Sequence, residues 1–121
     1  MKKIRVGVAG YGTIGQRLAD GVALQEDMEL VGIADLAPTL SLQALRENDM
    51  IGANGVEYKL YLVEGADPAA FAAMDIPVAG SFEDLCRSVD IMLDSSPAGV
   101  GDKNKAIYER LGVKAMFQGG E

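Results

Sequence analysis

The sequence predicts an α/β domain with a doubly wound parallel sheet held between two helical layers, and three observations carry that prediction. Apolar runs at residues 4–9, 30–35, 58–63, 91–95 and 113–118 alternate with helix-like segments. Most of these runs are continuously apolar rather than alternating, the pattern of strands buried on both faces of a parallel sheet. The first run also ends directly in a glycine-rich segment, Gly10-Tyr11-Gly12-Thr13-Ile14-Gly15, at the point where a strand turns into a helix.

That segment has the spacing Gly-x-Gly-x-x-Gly, and each glycine has its own task. Gly10 permits the tight turn, Gly12 lets backbone approach a diphosphate with no Cβ in the way, and Gly15 allows the helix to lie close to the sheet. The unpaired N–H groups of the helix start then face the anion. Asp35, at the end of the second run and twenty residues beyond Gly15, is placed to accept from both hydroxyls of an adenosine ribose. The pattern is that of a single three-layer, Rossmann-like domain over residues 1–121 that binds a dinucleotide through residues 10–15 and Asp35.

The remaining elements follow in order. A first helix over residues 13–25 places Ile14, Gly15, Leu18, Gly21 and Val22 on one face and Gln16, Arg17 and Asp20 on the other. Residues 47–56 are loose, and Asn54-Gly55 marks a turn before the third strand. Asp67-Pro68 offers an N-cap with proline at N1, and Ser81-Phe82-Glu83-Asp84 has capping-box spacing with Asp in the last place. A last helix over residues 103–111 turns Ile107, Tyr108 and Leu111 inward, with Gly112 as its C′ residue. The usual doubly wound order, 3-2-1-4-5, sets the switch point between the first and fourth strands. Residues 10–15 and the segment Ser95-Ser96-Pro97 then flank one crevice. The hydroxyls of Ser95 and Ser96 either line that crevice or belong to a plain strand-to-loop turn.

Composition limits the function classes. The chain has 121 residues, 49% of them apolar and 24% charged, which describes one globular domain and leaves no run near the roughly 20 apolar residues of a membrane helix. A net charge of −7 with scattered Lys and Arg argues against nucleic acid as a partner. The amino terminus enters a strand with no signal-like segment, so a cytoplasmic location is expected. There is one cysteine and no histidine, which removes the commonest general base and the commonest metal ligand.

Three segments go beyond a general dinucleotide fold. Residues 6–17 (VGVAGYGTIGQR), 90–101 (DIMLDSSPAGVG) and 113–121 (VKAMFQGGE) together closely resemble the type II, archaeal-like glyceraldehyde-3-phosphate dehydrogenases. The resemblance extends through Tyr58-Lys59-Leu60-Tyr61 and the segment 76–81, and covers the amino-terminal cofactor half of that family. It implies an NAD-binding half of an oxidoreductase, with cofactor contacts at Gly10, Tyr11, Gly12, Thr13, Ile14, Gly15, Asp35, Ser95, Ser96 and Pro97. In the family a later Ser-Cys-Asn-Thr-Thr segment carries the nucleophile and a histidine moves protons. Neither maps onto this sequence, so the catalytic domain is expected to be absent from it and no residue is assigned a catalytic role. Many members carry Lys and Thr after the second strand and accept the 2′-phosphate of NADP. The Asp35-Leu36-Ala37-Pro38 found here favours NAD.

Cys86 shares an inward helical face with Phe82, Leu85 and Val89 and reads as a buried core thiol rather than a nucleophile. Asp90 and Asp94 flank an apolar strand with no histidine or third acid nearby, so no metal site is expected. A homodimer is expected through apolar surface that the family's catalytic domain would cover, notably the sheet edge after Phe117. The alternative to a cofactor half is a freestanding nucleotide-responsive assembly module, in which ligand changes association rather than chemistry.

Overall fold

The computed structural model describes residues 2–118. Gly119, Gly120 and Glu121, which close the segment 113–121 on which the resemblance draws, lie outside the described residues. Among the described residues the strands are β1 (Ile4–Ala9), β2 (Met28–Asp35), β3 (Leu60–Leu62), β4 (Gly80–Ser81), β5 (Ile91–Asp94) and β6 (Lys114–Phe117). All pair in parallel, in the order β4-β3-β2-β1-β5-β6. The doubly wound order expected from sequence is therefore present, with the two-residue β4 added beyond the third strand.

Five helices connect the strands: α1 (Thr13–Ala23), α2 (Leu40–Glu47), α3 (Pro68–Ala73), α4 (Phe82–Arg87) and α5 (Ala98–Leu111). They divide between the two faces of the sheet as right-handed crossovers require. Ala19 and Val22 of α1, Leu42 and Leu45 of α2 and Phe71 of α3 pack with Val6, Val8, Ile33 and Leu60 in one core cluster. Phe82, Leu85 and Cys86 of α4 and Ile107 and Tyr108 of α5 pack with Ala9, Ala34, Val63 and Met92 in the other. Alternation of side chains along each strand is what lets one strand feed both clusters. Burial of a residue such as Ile33, fully inaccessible here, stabilises by about 1.5–3 kcal/mol.

Local capping follows the sequence closely. The Asp67 carboxylate accepts from the Ala69 N–H at 3.0 Å and starts α3. Ser81 and Asp84 form a reciprocal capping box, with the Asp84 N–H donating to the Ser81 hydroxyl at 3.2 Å and the Ser81 N–H donating to the Asp84 carboxylate at 3.0 Å. Gly112 ends α5 with φ at +69°, as a C′ glycine does.

Three expectations shift. Helix α1 ends at Ala23 rather than at residue 25, and its buried residues are Gly15, Ala19, Val22 and Ala23. Ile14 is 43% exposed and Gly21 is also exposed. With 3.6 residues per turn, both stand about 100–120° away from Gly15 around the helix, too far to share its inward stripe. The final helix starts at Ala98, ahead of the expected residue 103, because Pro97 positions its first turn and the small Gly101 lies beside the Ser96 carbonyl. The loose stretch 47–56 is folded over the ring of Tyr58, which is fully buried, and an antiparallel bridge joins Ile51 to Glu57. The Tyr58 hydroxyl donates to the Asp20 carboxylate at 2.7 Å and accepts from the Ala53 N–H at 3.0 Å, tying this segment to α1.

Candidate functional site

The switch point lies between β1 and β5, whose registers run Val6 to Ile91 through Ala9 to Asp94. Beyond their carboxyl ends stand the glycine loop on one side and residues 95–97 on the other, so the structure brings together the two segments singled out in the sequence. Gly10 has φ at +85°, and a Cβ built on it would come within about 3 Å of the Ser95 and Ser96 backbone. A Cβ on Gly15 would meet the Gly10 carbonyl oxygen at 1.7 Å. No side chain fits there, and the start of α1 is locked against the turn.

Gly12 is different. A Cβ added there meets nothing within 4 Å, and Gly12, Thr13 and Ile14 are exposed. Gly12 is the N-cap of α1, no side chain caps the helix, and the first-turn amides have no intrahelical acceptor. The first turn carries no acidic residue. Outward-facing N–H groups, the positive end of the helix dipole and open space over Gly12 suit a diphosphate.

Asp35 closes β2 beside this loop. One carboxylate oxygen accepts from the Tyr11 N–H at 3.0 Å and the other from the Leu36 N–H at 2.7 Å. Each oxygen has a second lone-pair site, so the carboxylate can still accept from vicinal hydroxyls. The Tyr11 side chain points elsewhere. It is 5% exposed, packs edge-on against Tyr58 at a centroid distance of 6.3 Å, and burial pushes its phenol up to about 12. The part of Tyr11 that belongs to the site is its backbone.

On the opposite wall, the Ser95 hydroxyl donates to the Gly10 carbonyl at 2.8 Å and so braces the glycine turn. Ser96 is 4% exposed, and its hydroxyl accepts from the Asn104 amide at 3.4 Å. Both hydroxyls are engaged within the protein, while Pro97 is exposed. The Ser96 N–H donates to the Asp94 carboxyl at 2.8 Å, and Asp94 also accepts from the Asn104 amide at 3.0 Å and the Tyr108 hydroxyl at 2.6 Å. This buried network holds the loop to α5. Asn104 was not anticipated from sequence, though its spacing of four from Tyr108 on one helical face was a readable signal.

Beside Ser96, a cleft of about 310 Å³ is lined by Ser96, Ala98, Gly101, Asp102, Lys105 and Phe117. A larger cavity of about 530 Å³ opens at the amino-terminal ends of β1 and β2, near Lys3, Glu29, Asn54 and Lys59. It does not reach the glycine loop. Size is a poor guide here, because an adenosine diphosphate moiety lies along an open crevice rather than in a hollow.

Cys86 sits in the second core cluster at 1% exposure, and burial pushes its thiol up to about 11, so it is protonated at neutral pH. Among the described residues no group of three or more Cys, Asp or Glu side chains is arranged to hold a metal ion, and no helix is long and apolar enough to cross a membrane.

Comparison with known proteins adds a lineage to this geometry. A glyceraldehyde-3-phosphate dehydrogenase of Sulfolobus acidocaldarius is 43% identical over 122 aligned residues, covering 100% of this chain and 33% of its own length. Along its whole length this chain is a relative of archaeal glyceraldehyde-3-phosphate dehydrogenases. The enzyme of that name from Methanoregula boonei is 40% identical over 118 residues, 98% of this chain and 32% of its own. The chain therefore spans about a third of the length of the curated dehydrogenases it matches. Among solved structures, an NAD-binding protein from Listeria innocua aligns with 97% of this chain and 35% of its own at 16% identity, with a TM-score of 0.45, a distant likeness. No family model matches the chain.

Proposed function

We propose that this chain is the dinucleotide-binding part of a glyceraldehyde-3-phosphate dehydrogenase and that it takes NAD. The observation that carries the proposal is the uncapped start of α1 beneath the open space at Gly12, with the Asp35 carboxylate alongside. The diphosphate lies over the N–H groups of residues 12–15, the adenosine ribose is held by Asp35, and Ser95, Ser96 and Pro97 form the far wall. The nicotinamide, when bound, supplies hydride acceptance. This chain's own part is to bind and orient.

Asp35 sets the choice between cofactors. A 2′-phosphate would stand beside its carboxylate, and two unit charges about 4 Å apart at an effective dielectric near 20 repel by roughly 4 kcal/mol. Even after salt screening, a tenfold or greater preference for NAD is expected. The chain does not oxidise an aldehyde alone under this reading, because that reaction needs a thiolate and a base. The sequence has no histidine, and its single thiol is buried and protonated. With a net charge of −7 the chain is proposed to work in the cytoplasm, without nucleic-acid or membrane partners.

Calorimetric titration of the pure chain with NAD, NADP, ADP-ribose and AMP tests the reading. Saturable binding that favours NAD over NADP, with ADP-ribose retaining most of the affinity, supports it. Equal affinity for NAD and NADP refutes the role of Asp35, and failure of all four ligands refutes the site.

A further inference from the structure

We infer that Ser95 is a positioning residue for cofactor choice. Its hydroxyl fixes the peptide group that aims the Asp35 carboxylate, and so bears on the choice between NAD and NADP from the opposite wall of the crevice. This role rests on the nucleotide reading of the site and deepens it. Gly10 and Tyr11 share one planar peptide group, whose carbonyl and N–H point in opposite directions. The two ends of that plane are held by different strands. The carbonyl accepts from the Ser95 hydroxyl at 2.8 Å, just beyond β5. The N–H donates to the Asp35 carboxylate at 3.0 Å, at the end of β2. Ser95 and Asp35 are therefore coupled without touching, because rotation of this one plane breaks both hydrogen bonds.

The plane is the adjustable part of a fixed frame. Gly10 has φ at +85° and no Cβ, so its own torsions resist rotation little. The peptide before it is anchored, since the Gly10 N–H donates to the Ala34 carbonyl at 2.8 Å. The backbone that carries the hydroxyl is anchored too, with the Ser95 N–H donating to the Ala9 carbonyl at 2.9 Å. The hydroxyl also lies 3.2 Å from the Ala9 carbonyl, the longer of its two contacts.

At the far end, the carboxylate has two anchors. Oδ2 accepts from the Tyr11 N–H and Oδ1 from the Leu36 N–H at 2.7 Å. With both in place its open lone pairs are aimed in one direction; with only Leu36 left the group can turn about its side-chain torsions. Cofactor choice depends on that aim. Hydrogen bonds from vicinal hydroxyls weaken steeply off line, and repulsion of a 2′-phosphate falls as the charges separate.

Ser95→Ala in the intact chain removes the hydroxyl and leaves the backbone bond to β1 in place. Calorimetry, run below the variant's melting midpoint, is expected to show NAD affinity falling roughly three- to tenfold, the effect of one hydrogen bond. NADP, which gains relief from repulsion, is expected to lose less, so the ratio narrows. In an Asp35→Ser background the same substitution is expected to leave the ratio where Asp35→Ser alone puts it. Hydrogen exchange reads the peptide without nucleotide. The Tyr11 N–H is expected to exchange faster in Ser95→Ala, while the Gly10 N–H, held to Ala34, keeps its rate. Equal losses for NAD and NADP, a ratio change that persists in the Asp35→Ser background, or an unchanged Tyr11 rate overturns the inference and leaves Ser95 as a brace of the turn alone. An unmodified chain that binds neither nucleotide overturns the site reading and cofactor choice with it, and the Tyr11 rate then still decides whether Ser95 governs the Asp35 contact.

Discussion

The Tyr108 hydroxyl donates to the Asp94 carboxyl at 2.6 Å, and neither residue is more than 2% exposed. Burial first, and the carboxylate second, hold the phenol far above its ordinary value, so it is a permanent donor. Replacing Tyr108 with Phe leaves a buried acceptor short of one partner and is expected to cost about 1–3 kcal/mol in chemical denaturation. A loss smaller than about 0.5 kcal/mol would show that Asn104 and the Ser96 N–H satisfy Asp94 without it.

Gly12 and Gly15 separate binding from folding. Gly15→Ala drives a Cβ into the Gly10 carbonyl and is expected to destabilise the fold and abolish nucleotide binding together. Gly12→Ala meets nothing in the free protein, so its melting temperature is expected to stay within a few degrees of the parent while affinity for NAD and ADP-ribose falls at least tenfold. Calorimetry and thermal melting on the same two variants decide this. Unchanged affinity in Gly12→Ala would remove the diphosphate from that position.

Asp35→Ser is expected to weaken NAD and relieve NADP, narrowing the ratio of their dissociation constants by about tenfold or more. Because Asp35 also accepts from the Tyr11 and Leu36 N–H groups, the variant loses some stability as well. Affinities should therefore be compared at a temperature well below the variant's own midpoint. A ratio that does not change would mean that something other than this carboxylate reads the 2′ position.

Cys86 should react with a thiol reagent only as fast as the chain opens. Its raised value near 11 and 1% exposure leave little thiolate and little access. Labelling in native buffer is expected to be slow and to accelerate in denaturant along with unfolding. Rapid native labelling would contradict the packing of α4.

Acid stability follows from three carboxylates. Glu83 is lowered chiefly by its hydrogen bond from Arg110, Asp84 by the Ser81 N–H and Asp90 by the Arg5 N–H, from ordinary values of 4.5, 3.8 and 3.8. Because the folded values are depressed, these groups contribute stability above the unfolded values and lose it as pH falls through the folded ones. Melting temperature is expected to be flat near neutrality and to decline below about pH 4. All three groups lie at the surface, so added salt should shrink the effect.

How much of this was legible beforehand varied with the source of the signal. The strand sequence and the crevice were readable because burial on both faces and the glycine spacing are local patterns, visible in residues 4–9 and 10–15 without knowledge of anything distant. The capping of α3 and α4 was readable for the same reason, since Asp67 and Ser81 act within three residues of themselves. The start of α5 was obscured by Gly99 and Gly101, whose poor helix propensity hides a helix that packing sustains. The two-residue β4 carries no pattern of its own and exists only because β3 lies beside it. The work of Ser95 was invisible because its partner, the Gly10 carbonyl, is 85 residues away in sequence.

That separation has a consequence for how the protein forms. One wall of the crevice is formed by residues 10–15 and the other by residues 95–97, far apart along the chain, and they meet only when β5 docks against β1. Long-range parallel pairing of this kind is slow, because loop closure precedes any compensating contact. The amino-terminal β-α-β unit can collapse on its own with its glycine loop present but unsupported. A nucleotide that touches both walls would then bind only after β5 has docked against β1, and ligand-induced protection would report that long-range step rather than the onset of folding.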